Sequence, residues 1–226
     1  MGVRAEARAE TTEAIKRIAR AQLAQGGPNL SLRAVARDLG VVSSAVYRYF
    51  GSRDELLTAL IIEGYNTLGE SAEHAEAAVP RSNLHGRWYA LAGAIREWAR
   101  AHPHEYALLY GSPVPGYAAP RDTVAPANRP VLVLVSILRD GVERGILVAH
   151  DRLARPVRTD LANVIATPGF SGVTTAVLAR GMTAWAQLFG TLSFELFGRL
   201  TGAVTDYDAY FEHQLKAMSS YLGLTR

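Results

Sequence analysis

Between Ser31 and Leu57 the chain gathers the side chains best suited to meeting another molecule, and their chemistry is that of polyanion recognition. Val42, Ser43, Ser44 and Ala45 are small or short, and Tyr47, Arg48 and Tyr49 follow at once. Small residues at the start of a helix let it sink into a DNA major groove about 12 Å wide. Serine hydroxyls and backbone N–H groups there meet phosphate oxygens, aided by the helix dipole. Arg48 can read guanine or neutralise phosphate, and Tyr47 can offer its hydroxyl while its ring packs. Arg53 falls where a flanking phosphate would lie. Ser31 and Arg33, at the start of the preceding helix, and Tyr49 complete the expected DNA-contacting set.

To present such a face, two short helices must cross at a tight turn, with a small residue at the turn and apolar inner faces. Ser31 can cap the first helix, whose Leu32, Val35, Ala36 and Leu39 fall at i, i+3, i+4 and i+7. Gly40 sits where a left-handed residue is wanted. Ser43 or Ser44 caps the second helix, with Val46 and Phe50 turned inward and Val41 on the same inner side. Ser52-Arg53-Asp54-Glu55 is a capping box opening a further helix with Leu56, Leu57, Leu60 and Ile61, which runs to near Ala78. Upstream, Ala5 to Gln25 carries Ile15, Ile18, Ala19 and Leu23 on one stripe and stops at Gly26-Gly27-Pro28.

Charge points the same way. Residues 1–53 hold nine Lys/Arg and four acids, a net +5 that leaves −2 for the rest of a chain totalling +3. A basic N-terminal part on a faintly acidic body suits a polyanion reader joined to something else. With 226 residues, 49% of them apolar, the chain can bury a real core in one large or two smaller domains. The absence of cysteine excludes disulfides, thiolate metal sites and thiol nucleophiles. The N-terminus is charged and lacks an apolar signal segment. The longest apolar run, Val131 to Val135, falls far short of the roughly 20 residues of a membrane span. A cytoplasmic protein without membrane attachment is expected.

Residues 46–57, Val-Tyr-Arg-Tyr-Phe-Gly-Ser-Arg-Asp-Glu-Leu-Leu, resemble the signature that closes the helix-turn-helix of TetR-family regulators, a Leu-Tyr-x-His-Phe-x-x-Lys-x-x-Leu pattern. Tyr47, Phe50 and Leu56 match. Val46 replaces Leu, Tyr49 the common His, and Arg53 the Lys, so the positive charge and an aromatic donor are kept. Leu32 to Val41 matches as well, and the strong resemblance covers about residues 10–60. It implies a larger, divergent all-α C-terminal domain that binds an inducer and dimerises, with the helix from Ser52 acting as the lever between the two functions.

The remainder reads as helical on its own residues. Trp88, Leu91, Ala92, Ile95 and Trp98 keep helical spacing up to His102-Pro103, and a helix follows from His104 to Tyr110. Five of the ten prolines lie in Gly111 to Pro130, an expected long loop, after which Val131 to Arg144 is helical. A short helix is expected around Arg158 to Ile165. A long one spans Val173 to Leu200, and a last one, capped by Asp206, carries Tyr210, Phe211, Leu215, Met218 and Leu222. Trp88, Trp98, Tyr106, Tyr110, Trp185 and Phe189 supply surface for a small apolar or aromatic effector, or equally for an ordinary core. The helix over 173–200 is apolar all round, so it must be buried on two sides. Leu188, Leu192, Leu196, Phe211, Leu215 and Met218 are accordingly expected at an isologous four-helix dimer interface, with the core of a monomer as the alternative. Glu195 is expected to pair with Arg199 at i+4. His102, His104 and Glu105 have poor spacing for a metal, and His85 and His150 are distant, so no metal or cofactor is expected.

The expected fold is therefore all-α. Residues 1–53 form the helix-turn-helix domain, a helix over about 54–78 connects, and 54–226 form the ligand-binding and dimerisation domain. The expected function is that of a homodimeric repressor on a palindromic double-stranded operator, released by a small, largely apolar ligand. A ligand-independent DNA-binding regulator or activator is the alternative. A small-molecule enzyme with an incidental helix-turn-helix finds no support, for no G-x-S-x-G, H-E-x-x-H or P-loop pattern is present.

Overall fold

The computed structural model describes residues 2–26, 30–149 and 152–224. Among them are ten α-helices, one short 3-10 turn and no strand. The helices are α1 (Val3–Gly26), α2 (Leu32–Leu39), α3 (Ser43–Tyr47), α4 (Arg53–Ala77), α5 (Leu84–Ala101), α6 (Pro103–Tyr110), α7 (Val124–Glu143), α8 (Arg155–Ile165), α9 (Thr175–Leu196) and α10 (Tyr207–Leu222). Gly27-Pro28, the expected stop of the first helix, and His150 lie outside the described residues. The chain divides into two compact units, Met1–Tyr65 with His102–Pro126, and Asn66–Ala101 with Ala127–Arg226. That division differs from a boundary at 53/54. The start of α4, all of α6 and the first part of the proline-rich connection belong with the N-terminal helices.

In the first unit, α1 buries Ile15 and Ala19, one turn apart, against Leu32, Val35 and Ala36 of α2, Val46 and Phe50 around α3, and Leu56 and Leu57 of α4. Two short helices can hold this geometry because their ends are satisfied locally. Ser31 Oγ accepts from Ala34 N at 3.5 Å. Gly40, at φ 73°, returns the chain with its N–H on the last α2 carbonyls, a conformation that costs a residue with a Cβ about 1–2 kcal/mol. At α4, Glu55 N donates to Ser52 Oγ at 3.1 Å, and Glu55 Oε2 accepts from Gly51 N at 2.7 Å. The capping box is thus made, with the carboxylate reaching one residue further back than the usual N-cap N–H. Glu63 of α4 ties α1 in place by accepting from Lys16 at 2.7 Å and from Arg20, whose Nε also lies 3.5 Å from Glu105 of α6. Burial alone would raise the Glu63 carboxyl, but the two cations outweigh it and hold it below its ordinary range.

In the second unit, α5 buries Trp88, Leu91 and Ile95 along one stripe, α7 adds Ile137 and Leu138, and α10 packs on both α9 and α5. Backbones approach closely where glycine allows it. A methyl on Gly181 of α9 would meet Leu138 Cδ1 at 2.6 Å, and one on Gly69 of α4 would meet Arg129 Cβ of α7 at 2.6 Å. Arg129 crosses Gly69 to reach Glu73 twice, at 2.9 and 2.7 Å, and the Asn66 carbonyl at 3.0 Å. Arg87 is wholly buried, yet charged. It donates to Glu76 of α4 and Asp140 of α7, with Ser136 Oγ at 3.3 Å and the Arg81 carbonyl at 3.4 Å. Arg81 closes the cluster on both Asp140 oxygens at 2.6 Å.

Two expectations are corrected here. The connection is irregular only over 111–120, since a 3-10 turn over Arg121–Thr123 leads straight into α7. Pro126 falls in the first turn of α7, where its missing N–H costs nothing, and Pro130 stands inside the helix. Glu195 does not take Arg199. It pairs with Arg96 of α5 through Nε at 3.0 Å and Nη2 at 2.9 Å, and Arg96 also reaches Asp208 of α10 at 2.8 Å. The forked guanidinium of a packed neighbouring helix offers two parallel bonds that an exposed i+4 side chain does not.

Candidate nucleic-acid interface

The helix-turn-helix core is built so that one face of α3 takes no part in it. Val46 is fully buried and Phe50 nearly so, while Val42 is 71% and Tyr47 46% exposed. Ser44 and Arg48 are exposed beside them, and Ser43 and Ala45 are half-buried in the first turn. Val42, not a serine, occupies the N-cap, and it has no side-chain acceptor to offer. Ser43 and Ser44 are instead the first two residues of the helix. Val41 was expected inside and is 40% exposed, because the chain leaves Gly40 in a left-handed turn before α3 begins.

The other expected contact residues stand around this face in different ways. Arg33 is exposed on α2, and Ser31 is exposed with its Oγ engaged in capping. Tyr49 is half-buried against the domain core, and the Arg8 guanidinium lies 5.1 Å from its ring centroid. Its ring therefore packs between α1 and the core instead of standing clear like Tyr47. Arg8 was not singled out from sequence, since nothing local links it to a residue 41 positions away. Arg53, the first residue of α4, donates from Nη1 to the Pro115 carbonyl at 3.5 Å and lies 3.6 Å from Asp54. Arg37 was also passed over. It is exposed on α2, beside Asp38 at 3.2 Å.

The aromatic residues expected to line a ligand site do not share one unit. Tyr106 is wholly buried in the first, with Tyr110 5.3 Å away and Tyr65 6.0 Å beyond that, centroid to centroid. Burial, with Tyr65 and Tyr106 adding to it, pushes the Tyr110 phenol far above its ordinary range, so it stays neutral. In the second unit Trp98 Nε1 donates to Thr67 Oγ1 at 3.1 Å, and Trp185 lies 4.8 Å from Phe189. Trp88 is fully buried, and its Nε1–H has no acceptor among the described residues. A separate groove of about 260 Å³ runs beside α9 and α10, lined by Gln187, Gly190, Thr191, Phe194, Leu200 and Tyr210. Among the described residues no cluster of His, Asp and Glu could hold a metal, and no helix is long and apolar enough to cross a membrane.

The expected dimer residues are mostly buried already. Leu188, Leu192, Phe211, Leu215 and Met218 are already buried within one chain, and Leu196 is half-buried. The five buried ones lie on helices that pack on one another within one chain, α9 on α10 and both on α5, which leaves a second copy little area on them to cover, while Leu196 keeps some. The large apolar residues left exposed on these elements are Met182, Phe194, Phe197 and Tyr221.

Comparisons with known proteins agree with this anatomy. Residues 15–60 match the family described as bacterial regulatory proteins, tetR family, and residues 88–218 match the tetracyclin repressor-like C-terminal domain. The chain is 37% identical over 226 residues to HTH-type transcriptional regulators of Mycobacterium tuberculosis and of Mycobacterium bovis, covering 98% of this chain and 96% of each relative. The crystal structure of the regulatory protein SCO4313 superposes with a TM-score of 0.79 at 32% identity, covering 97% of this chain and 100% of that one. The TetR family regulator PfmR from Thermus thermophilus shares the fold at a TM-score of 0.59 and 19% identity, covering 89% of this chain and 97% of that one.

Proposed function

Because the chain belongs to the TetR family of bacterial transcriptional regulators, a non-enzymatic family with an N-terminal DNA-binding domain and a C-terminal dimerisation domain, we propose that it is a homodimeric repressor. It acts in the cytoplasm on a palindromic operator and is released by a small, largely apolar ligand. The exposed face of α3 carries the first part of this reading. Val42, Ser44, Tyr47 and Arg48 are exposed, while the opposite face is locked by Val46 and Phe50. A helix held so firmly on one side and left bare on the other suits insertion into a major groove, with Arg48 on a base edge or phosphate. Arg33 and Arg53 supply flanking phosphate contacts, which make binding steeply salt-dependent.

A second copy would pack on the other side of the α9–α10 layer. Met182, Ala186, Gly190 and Phe194 recur every four residues and are all exposed, one ridge of the kind that interdigitates between helices. Ala186 and Gly190 let a partner backbone come close, and nothing lies within 4 Å of a methyl placed on Gly190. For the effector, Trp88, Trp98, Trp185 and Phe189 of the second unit offer apolar surface, and the Trp88 Nε1–H, without an acceptor among the described residues, suits a ligand carrying one acceptor atom. A ligand releases the operator only by binding better to the dimer geometry whose half-site spacing is wrong.

Selection of random duplex DNA on the purified protein at near-physiological salt tests the first part. An inverted repeat should be enriched, and Arg48→Ala should weaken binding to it by about 1–3 kcal/mol with the dimer intact. If no sequence is enriched, or Arg48→Ala binds as tightly as the parent, α3 is not the reading helix.

A further inference from the structure

The proline-rich connection has no task in the scheme above, yet its first part folds onto the DNA-reading unit. Val114 to Tyr117 form a type II turn, in which Tyr117 N donates to Val114 O at 3.1 Å, Pro115 takes the second position, and Gly116 takes the third at φ 75°. The two outer residues of the turn, Val114 and Tyr117, pack against the core cluster that contains Phe50, Leu56 and Leu57. The Tyr117 hydroxyl is 2.9 Å from Thr58 Oγ1 on the second turn of α4. The Pro115 carbonyl belongs to the central peptide, whose oxygen the turn's own hydrogen bond leaves unused. It accepts from Arg53 Nη1 at 3.5 Å.

We propose that this turn is a positioning element of the DNA-binding surface, with Tyr117 as the anchor that keeps the Pro115 carbonyl beside the Arg53 guanidinium. The backbone at Arg53 is already set by the Ser52–Glu55 capping box, so the freedom left to fix is that of the long side chain. A carbonyl on one guanidinium donor, with the Asp54 carboxylate 3.6 Å from the same nitrogen, restricts the rotamers of this five-donor fork. The arrangement lowers the entropy lost when DNA binds, which is how preorganisation raises affinity without a new contact to the ligand. Tyr117 thus acts on DNA through Arg53 and touches no phosphate itself.

The inference rests on the DNA-binding reading, and the test separates the two. The probe is the inverted-repeat duplex recovered from the random pool. Tyr117→Phe removes only the hydroxyl bond and keeps the ring packed. Gly116→Ala strains the turn by its φ alone, because a methyl there meets nothing within 4 Å. Each should weaken duplex binding by about three- to tenfold, the size of one modest hydrogen bond. Both effects should vanish in an Arg53→Ala background, which should itself lower the salt slope by about one phosphate contact. Urea midpoints measured alongside report folding. If the losses add to that of Arg53→Ala, or if the midpoints fall while duplex affinity holds, the turn is merely structural and the proposal is overturned. If the parent chain itself enriches no duplex, the DNA-binding reading fails first.

Discussion

Replacing Asp140 with alanine removes the acceptor that Arg87 and Arg81 share inside the second unit. In the parent, two cations face two carboxylates, Asp140 and Glu76, so the cluster is neutral. Arg87 is 0% exposed, and without Asp140 its Nη1 keeps only the Arg81 carbonyl at 3.4 Å. Glu76 still pairs with Arg87 Nε, but the cluster carries one excess positive charge and Nη1 has lost its carboxylate in a place that water does not reach. Removing one partner of a buried ion pair costs up to about 3–5 kcal/mol, a large part of a typical domain stability of roughly 5–15 kcal/mol. Arg81 contributes little to that sum, since its side chain is 67% exposed and solvent screens it. The assay is urea unfolding at fixed protein concentration, reading the midpoint with an unchanged slope. Asp140→Ala combined with Arg87→Met should recover most of the loss, because the desolvation cost of the ion disappears with the ion. The pair also sets a pH dependence. Burial would raise the Asp140 carboxyl, but the hydrogen bonds from Arg87 and Arg81 outweigh it and hold the group below its ordinary range. A lowered carboxylate contributes stability that is present above its unfolded pKa of about 3.9 and is lost as pH falls through the folded value. The parent should therefore lose stability below about pH 4 by an amount that Asp140→Ala does not. A cost for Asp140→Ala under about 1 kcal/mol would refute the argument, by showing that Arg87 is satisfied without its carboxylate.

Other changes probe other links. Gly69→Ala should lower stability by about 1–2 kcal/mol, because the new methyl must displace Arg129 Cβ from 2.6 Å, an overpacking cost larger than the helix propensity gained. Gly93→Ala in α5, where nothing lies within 4 Å, should raise stability by about 0.5–1 kcal/mol, and thermal midpoints of both variants should move in opposite directions. Gly40→Ala meets open space but must adopt φ 73°, so it should cost about 1–2 kcal/mol in urea unfolding, with Gly40→Asn costing less. Phe194→Arg enters an isologous interface twice, so about 2 kcal/mol per copy should weaken dimerisation by roughly 10³-fold, and sedimentation at micromolar concentration should find monomers. A variant that remains dimeric would place the interface on another face.

Most of the DNA-reading unit was legible from residue types because its geometry is encoded locally. The Ser31 cap, the left-handed Gly40, the Ser52–Glu55 box and the i, i+3, i+4 stripe of α2 are agreements between residues fewer than five positions apart. The exposed faces of Tyr47 and Arg48 follow, since a short helix that buries Val46 and Phe50 must turn these residues outward. Asp206 capping α10 by accepting from Ala209 N at 2.9 Å is another such local agreement. Where periodicity is silent, sequence reading failed. Helix α9 has apolar residues on more than one face, so spacing alone could not say which side meets its own domain, and five of the six expected interface residues are buried within one chain.

By itself, then, the sequence determined the all-helical class, the position of the helix-turn-helix and the caps of α2, α4 and α10, because backbone hydrogen-bond satisfaction and side-chain period act over one or two turns. Tertiary structure alone decided which partners distant residues take. Glu195 prefers the Arg96 fork 99 positions away to Arg199 four positions on, Tyr106 and Tyr110 join the first unit while Trp88 and Trp98 fill the second, and Pro115 reaches Arg53 across 62 residues. Such pairings depend on where whole helices pack, and packing responds to the summed burial of many side chains, which no single local pattern carries.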